Sequence, residues 1–339
     1  MMETNETKSL FPWISGAAVI LLGVTVVALF MSDHRPEPGT AFRFDVAGFQ
    51  ERSKADGIYE ETGNLPLPLE RPTAAAPGAE GTFFAAARDK IIHLNPDGSV
   101  LQEFAVSGVP RCLVSGNENR LYAGVDGHIE VWSLGGDLLE SWQPAGEKSW
   151  LTSLLLHEEN LYSADAGLRC VLRYDLSGAL LQRIGEKDAG RDIPGLIVPT
   201  PFLDIAVDPL GAFWTTNPGR HGLESYRPDG ELLSAWYRPA MGTAGFCGCS
   251  NPAHIAFLPD GTLVTAEHGL SRVKLYSPDQ QFLMMVAGPE TFGESPGMML
   301  PQDQEPAIRD LLVDEKGRIL VLDAKKAQLR IFEKKKGMP

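Results

Sequence analysis

The sequence contains an internal repeat in which apolar runs alternate with turn residues at intervals of about 40–50 residues. Residues 202–237, "FLDIAVDPLGAFWTTNPGRHGLESYRPDGELLSAWY", align with residues 253–288, "AHIAFLPDGTLVTAEHGLSRVKLYSPDQQFLMMVAG". Each segment has four apolar runs separated by Pro- and Gly-containing turns, and the third run ends in Tyr. This order of runs and turns predicts a four-stranded antiparallel meander in every copy.

Six copies of this pattern fill the chain from about residue 72 to its end, and such units are typical of a β-propeller. We therefore expect an all-β fold, a six-bladed β-propeller with four-stranded blades, over residues 72–339. The sixth copy has only three strands before the chain ends. An incomplete last blade would leave an unpaired sheet edge, so we expect residues 41–46, "AFRFDV", to supply the missing outer strand.

The segment before the repeat predicts a membrane anchor. Residues 11–31 are apolar and uncharged, and about 20 such residues span a bilayer as a helix. A cleaved signal peptide is the alternative, but the run lacks a convincing cleavage site. We expect one N-terminal transmembrane helix after a short tail (residues 1–10), followed by a linker (residues 32–71). We expect the propeller to lie outside the cytoplasm, in the periplasm or extracellular space.

Charge restricts the possible partners. The chain has 339 residues and a formal net charge of −14, with no basic stripe apart from the terminal "EKKK". Nucleic-acid binding needs clustered Lys and Arg against phosphates, so we expect no nucleic-acid partner. The expected partners are the membrane, through residues 11–31, and a protein or small-molecule ligand.

The repeats resemble the NHL family. The segments "LDIAVDPLGAFWTTNPGRHGLESY" and "IRDLLVDEKGRILVLDAKKAQLRIF" are similar to its pattern of an apolar strand, Asp-x-x-Gly, a second strand, Asp or Asn, and a strand ending in Phe or Tyr. The resemblance covers roughly residues 72–335 and implies a six-bladed propeller. It implies no single function, since related propellers include binding modules, sensor domains and lyases that use polar residues at the channel mouth.

Counting back from the turn after each inner strand gives six residues at the mouth of the central channel: Ala74, Cys112, Thr152, Asp204, His254 and Asp310. Asp204, His254 and Asp310 lie on three successive blades. Two carboxylates and an imidazole can bind a divalent metal or perform acid/base chemistry. The alternative is structural, in which these side chains satisfy the first backbone groups of the inner strands.

Further candidates lie in loops on the same face. Glu267 and His268 follow the second strand of blade five, where they could act as acid and base. Asn217, Arg220 and His221 lie in the equivalent loop of blade four and are candidates for ligand contact. Long insertions before blades four, five and six would surround a cleft above this half of the ring.

The insertion before blade five contains Cys247 and Cys249, separated by one glycine. These thiols could staple the loop or stay free, bind a soft metal together with His254, or exchange disulfides. A single Cys-x-Cys is a weak signal, and it leaves the pairing of Cys112 and Cys170 open.

The sequence favours a membrane-anchored propeller that binds a protein or ligand through its loop-rich face. The alternative is a metal-dependent lyase or hydrolase with its site at the channel mouth of blades four to six. A redox or soft-metal role of the Cys-Gly-Cys loop is a third, weaker hypothesis. A divalent metal is the one cofactor that these residue types suggest.

Overall fold

The computed structural model describes residues 57–116, 119–294 and 305–337, which form six four-stranded antiparallel sheets. The innermost strands of neighbouring sheets contact one another around a closed ring, so the sheets are the blades of a propeller. The predicted all-β, six-bladed fold is confirmed. The predicted anchor, residues 11–31, lies outside the described residues, and no helix within them is long and apolar enough to cross a membrane.

The first described strand, Tyr59–Pro66 (β1), belongs to the last blade. Blade one contains Ala74–Pro77 (β2), Phe83–Ala87 (β3), Lys90–Leu94 (β4) and Val100–Ala105 (β5). Blade two contains Pro110–Ser115 (β6), Arg120–Val125 (β7), His128–Ser133 (β8) and Leu138–Trp142 (β9). Blade three contains Leu151–His157 (β10), Asn160–Asp165 (β11), Cys170–Asp175 (β12) and Leu180–Ile184 (β13).

Blade four contains Ile205–Val207 (β14), Phe213–Asn217 (β15), Gly222–Tyr226 (β16) and Leu232–Tyr237 (β17). Blade five contains His254–Phe257 (β18), Leu263–Ala266 (β19), Val273–Tyr276 (β20) and Phe282–Ala287 (β21). Blade six contains Ile308–Val313 (β22), Ile319–Asp323 (β23) and Gln328–Lys334 (β24), and β1 completes it. Short 3-10 turns occur at Ala79–Gly81, Ala189–Arg191, Pro218–Arg220 and Pro289–Phe292.

The core lies between the blades. Each of six hydrophobic clusters joins two neighbouring sheets, as Val264 of blade five and Val321 of blade six do. Middle strands such as β19 are buried along their whole length because both of their faces meet a neighbouring blade. Outer strands such as β5 are exposed over most of their length because the sheets diverge away from the channel.

The ring closes through β1, which pairs with β24 at the outer edge of blade six. Leu65 and the adjacent Leu67 are buried in the cluster between blades six and one. Arg330 of β24 donates from Nη1 to both carboxylate oxygens of Glu61, at 3.0 and 2.8 Å. The expected closure by an N-terminal strand therefore occurs, but our assignment of that strand to residues 41–46 is corrected. The outer position belongs to β1, and residues 41–46 lie outside the described residues.

Candidate functional site

The inner strands β2, β6, β10, β14, β18 and β22 begin at the same end of the ring, around a cavity of about 230 Å³. We call this cavity the channel mouth. It is lined from all six blades by Thr73, Arg111, Trp150, Thr152, Pro201, Phe202, Leu203, Ala253, His254 and Arg309. A second cavity of about 110 Å³ shares Arg111, Thr152 and Arg309 with the mouth and is also lined by Cys112, Ser153, Asp204 and Asp310.

Asp204 lies at the start of blade four and connects two blades. Its Oδ1 accepts the backbone N–H of Ile205 at 2.9 Å, and its Oδ2 accepts that of Ile255 in blade five at 2.8 Å. Burial raises the pKa of this carboxyl to about 6, although hydrogen bonds from Ser153 and the two N–H groups oppose the shift. Asp204 therefore holds the inner strands of blades four and five together.

Asp310 does the same between blades six and one. Its Oδ1 accepts the N–H of Leu311 at 2.9 Å, and its Oδ2 accepts the N–H of Ala75 at 3.0 Å. Burial raises its pKa to about 7, and the nearby carboxyl of Asp204 adds to the shift. Both aspartates thus make the backbone contacts that the structural interpretation of the ring predicts.

In blade three, Thr152 lines the channel mouth, and Ser153 is the residue that hydrogen-bonds to Asp204. The pairing of β10 with β11 shifts between Leu151 and Ser153, so Thr152 lies at a β-bulge and Ser153 pairs with Ala164. Equivalent register shifts place Arg111 at a bulge in β6 and Arg309 at a bulge in β22. A bulge redirects the side chain of the extra residue, and all three of these residues line the channel mouth.

His254 faces the channel mouth as a neutral imidazole. Burial lowers its pKa to about 3, and the positive charge of Arg309 adds to this shift. Its Nδ1 lies 3.8 Å from Asp204 Oδ2, too far for a hydrogen bond, and its buried Nε2 has no hydrogen-bond partner among the described residues. The ring of Phe202 meets the imidazole edge-on at 6.2 Å between centroids.

His268 lies on the other side of Phe202, 4.3 Å from it between ring centroids. Burial lowers its pKa to about 4, so it is also neutral at physiological pH. Its backbone N–H donates to Asn251 Oδ1 at 2.6 Å, which connects the insertion before blade five to the loop after β19.

The candidate metal ligands do not form a metal site. Within the described ranges, no group of three or more His, Cys, Asp or Glu side chains is arranged to hold a metal ion. Both oxygens of Asp204 and of Asp310 already accept backbone hydrogens. The donor set therefore does not fit the divalent cation that the sequence suggested.

Glu267 is fully buried in a charge cluster with Arg272 and Lys274, which are also fully buried. Its two carboxylate oxygens contact these two cations separately. Lys274 Nζ also donates to the carbonyl of Gly245 at 2.7 Å, and burial lowers its pKa to about 8. The cluster holds the insertion before blade five against β20, so Glu267 is not free to transfer protons to a ligand.

The predicted contact residues of blade four are also largely structural. Asn217 is buried, accepts the N–H of Ile197 at 3.0 Å and donates to Glu224 Oε1 at 2.8 Å. Arg220 lies over the ring of Tyr237 at 5.8 Å. His221 ends a 3-10 turn with a φ of 57°. None of the three predicted residues lines the channel mouth.

The four cysteines are all free thiols in the structure. Cys112, Cys170 and Cys247 are buried, whereas Cys249 is exposed. Burial raises the pKa of Cys247 and raises that of Cys170 to about 12. Because the thiolate is the reactive form, buried thiols with raised pKa values are poor nucleophiles. Cys247 Sγ lies 3.6 Å from Arg272 Nη2 and therefore belongs with the charge cluster.

The residues that sequence reasoning missed are Arg111 and Arg309. Arg111 directly precedes Cys112, and Arg309 directly precedes Asp310, the two residues that the sequence placed at the mouth. The available signal for them was an arginine directly before the predicted mouth residue in two repeats of an acidic chain. The structure brings them together with His254, whereas it keeps Glu267 in a separate cluster.

Comparison with solved structures finds several propellers. Virginiamycin B lyase from Staphylococcus aureus has 12% sequence identity and a TM-score of 0.57, over 80% of this chain and 98% of that chain. A streptogramin B lyase has 12% identity and a TM-score of 0.54, over 81% and 97%. The WD40 β-propeller domain of Doa1 has 14% identity and a TM-score of 0.52, over 78% and 79%.

No protein-family model matches the chain, and no curated protein matches it. At 12–14% identity, the likeness to these structures shows the propeller fold alone. The resemblance to NHL repeats stays a prediction.

Proposed function

We propose that this chain is a ligand-binding propeller that takes a small molecule at its channel mouth. The observation that carries the proposal is the convergence of residues from all six blades on one cavity of about 230 Å³. Five of its ten lining residues are aromatic or apolar and the other five carry polar groups, a mixture that can hold an apolar ligand and fix its orientation. The unpartnered Nε2 of His254 gives such a ligand a buried polar group to bond.

Binding fits the site better than catalysis. Glu267 contacts two buried cations, and both aspartates have each oxygen bonded to a backbone N–H. An imidazole with a pKa of about 3 is a weak general base near neutral pH. The described residues therefore offer recognition groups, but no proton-transfer pair like those that a lyase or hydrolase needs.

A fragment screen by ligand-observed NMR on the full chain tests this function. Pro201 is exposed at the rim, so Pro201→Trp should obstruct the mouth without disturbing the core. We expect some fragments to bind the wild type and to lose binding in Pro201→Trp. Leu210 is 96% exposed at the far end of blade four, so Leu210→Trp is the matched control. Fragments that bind both variants equally would contradict a site at the mouth.

We further propose that the propeller is held at a membrane and lies outside the cytoplasm. The support is the uncharged apolar run at residues 11–31, long enough to span a bilayer. Membranes washed at alkaline pH should retain the full chain and release a chain that lacks residues 1–31. Release of both chains would refute the anchor. Protease added outside intact cells or spheroplasts should reach the propeller, and complete protection there would refute the proposed side of the membrane.

A further inference from the structure

We propose that the channel mouth binds the carboxylate of a small organic acid between Arg111 and Arg309. This inference rests on the proposed ligand-binding function and specifies the chemistry of the ligand. It follows from the two guanidinium groups in the cavity, from the absence of a hydrogen-bonded carboxylate on either one among the described residues, and from the apolar surface around them.

The side chain of Arg309 has no hydrogen bond or ion pair with any described residue. Its side chain is partly buried at the mouth, where burial lowers the pKa of the guanidinium although the group stays protonated. Glu305 is the nearby carboxylate that opposes this shift, but it lies 3.6 Å from Arg71. A partly desolvated cation without a direct counter-ion is unfavourable, so an anionic ligand there would be stabilised.

Arg111 faces the same cavity and is only loosely paired. Its Nη2 lies 3.6 Å from Asp126 Oδ1, longer than a hydrogen bond, and the carboxylate of Asp126 is about half exposed. Its buried Nε has no hydrogen-bond partner among the described residues. The guanidinium stacks on Trp150 at 3.7 Å from the ring centroid, which fixes its plane while leaving its donors available.

The two arginines occupy equivalent positions, each at the bulge near the start of its inner strand. Thr152 lies at the equivalent bulge in blade three. The hydroxyl of Thr152 donates to the carbonyl of Leu203 at 2.6 Å, so this residue has a structural role. Blades two and six thus place cationic donors where blade three places a structural contact. The chain carries a net charge of −14, so two cations in one cavity, neither hydrogen-bonded to a carboxylate of the described residues, depart from its overall composition.

The surroundings favour a carboxylate on an apolar body. A guanidinium fork matches the two oxygens of a carboxylate, and charge-assisted pairs of this kind are strong. Trp150, Phe202 and Leu203 supply aromatic and aliphatic surface beside the arginines. His254 is neutral, so the two guanidinium groups are the cations that line the mouth.

Isothermal titration of the full chain at low chloride tests the proposal with three probes: benzoate, its uncharged analogue benzamide, and inorganic phosphate. We expect benzoate to bind at least tenfold more tightly than benzamide and phosphate. Arg309→Gln should weaken benzoate binding at least tenfold. The benzoate affinity of Arg309→Lys should lie between those of the wild type and Arg309→Gln, because lysine keeps the charge but lacks the guanidinium fork. Arg227 pairs with Glu231 at the far end of blade four, so Arg227→Gln should bind like the wild type.

Thermal melts of each variant establish that folding is intact, which we expect because Arg309 has no described partner to lose. Benzoate binding that is equal in the wild type and Arg309→Gln would overturn the proposal. Equal binding of benzamide, or binding of phosphate alone, would overturn it as well. If no anion binds but neutral fragments bind in a Pro201→Trp-sensitive way, the proposed function stands and this inference fails. If neither anions nor fragments bind at the mouth, both fail.

Discussion

Asp204 and Asp310 show how a polar residue at the channel can serve the fold. Each accepts one N–H from its own strand and one from the next blade, so each joins two blades through the backbone. A residue at this position can look catalytic in the sequence because carboxylates also perform acid/base chemistry. The partner atoms distinguish the two roles, and sequence order does not reveal which backbone groups lie nearby.

Glu267 provides the sharpest prediction at the scale of single residues. Glu267→Gln would leave Arg272 and Lys274 buried without a carboxylate, and breaking a buried ion pair in this way costs about 3–5 kcal/mol. Urea unfolding should show this loss in the free energy of unfolding. The exposed pair of Arg88 and Glu70 is the control, since Glu70→Gln should change stability by less than about 1 kcal/mol. Equal effects of the two substitutions would refute the structural role of the cluster.

Residue positions were predictable where a glycine marks the turn after the inner strand. Asp204, His254 and Asp310 could be placed at the ring because Gly211, Gly261 and Gly317 mark the turns that follow. Arg111 and Arg309 were missed, and both lie at bulges, which insert one residue without any characteristic residue type.

At the scale of elements, β1 closes the propeller between the last and first blades. Leu65 is 6% exposed in the cluster that joins them, so Leu65→Ala should destabilise the fold by about 2–5 kcal/mol. Asn64 is exposed on the same strand, and Asn64→Ala should change stability by less than about 0.5 kcal/mol. Thermal or urea unfolding of both variants tests the closure. Equal stabilities would show that β1 contributes little.

The need for a closing strand could be predicted from the sequence, but its position could not. Three strands in the last repeat require a fourth from elsewhere. Residues 41–46 alternate like a strand, whereas β1, "YEETGNLP", contains Gly, Pro and acidic residues and has a bulge between Glu61 and Gly63. The position of β1 is determined by its pairing with β24 and by the burial of Leu65. Both contacts join segments that are far apart in the chain, so the local sequence pattern does not show them.

At the scale of the whole molecule, the fold was predictable because the repeat appears six times, with the same strands and turns in the first five copies and three of the four strands in the last. The turn glycines Gly98, Gly136, Gly178 and Gly230 all have positive φ, between 82° and 91°, as short turns between strands three and four require. The contacts between blades vary from one copy to the next. The candidate site depends on those contacts, so it was only partly predictable.

The buried groups of the channel also predict how stability changes with pH. His254 and His268 have folded-state pKa values of about 3 and 4, below the value of about 6.5 expected on unfolding. The unfolded chain therefore binds more protons in this range, and the contribution of these histidines falls as pH drops below about 6.5. Asp204 and Asp310, with raised pKa values of about 6 and 7, contribute in the opposite direction over an overlapping range.

Replacing one histidine separates these contributions. Between pH 7 and pH 5, the free energy of unfolding of His254→Gln should fall by about 2 kcal/mol less than that of the wild type. The reason is that pH 5 lies roughly 1.5 pH units below the pKa of the unfolded imidazole, which therefore binds a proton that the folded one does not. Urea unfolding at both values measures the difference. Asn64 is exposed on β1 and carries no titratable group, so Asn64→Ala should follow the wild-type pH dependence. If the stability of His254→Gln depends on pH as that of the wild type does, burial of this imidazole is not the cause of the dependence.

The direction of β1 has a consequence for how the molecule presents its ligand site. Pro66 pairs with Gln328, which follows the loop at the mouth end of blade six, whereas Tyr59 pairs with Lys334 at the opposite end. The described chain therefore enters and leaves the propeller on the face away from the cavity. A surface tether or bulky label attached at Tyr59 or at Lys334 would therefore lie at the end of blade six opposite the cavity and leave the channel mouth unobstructed.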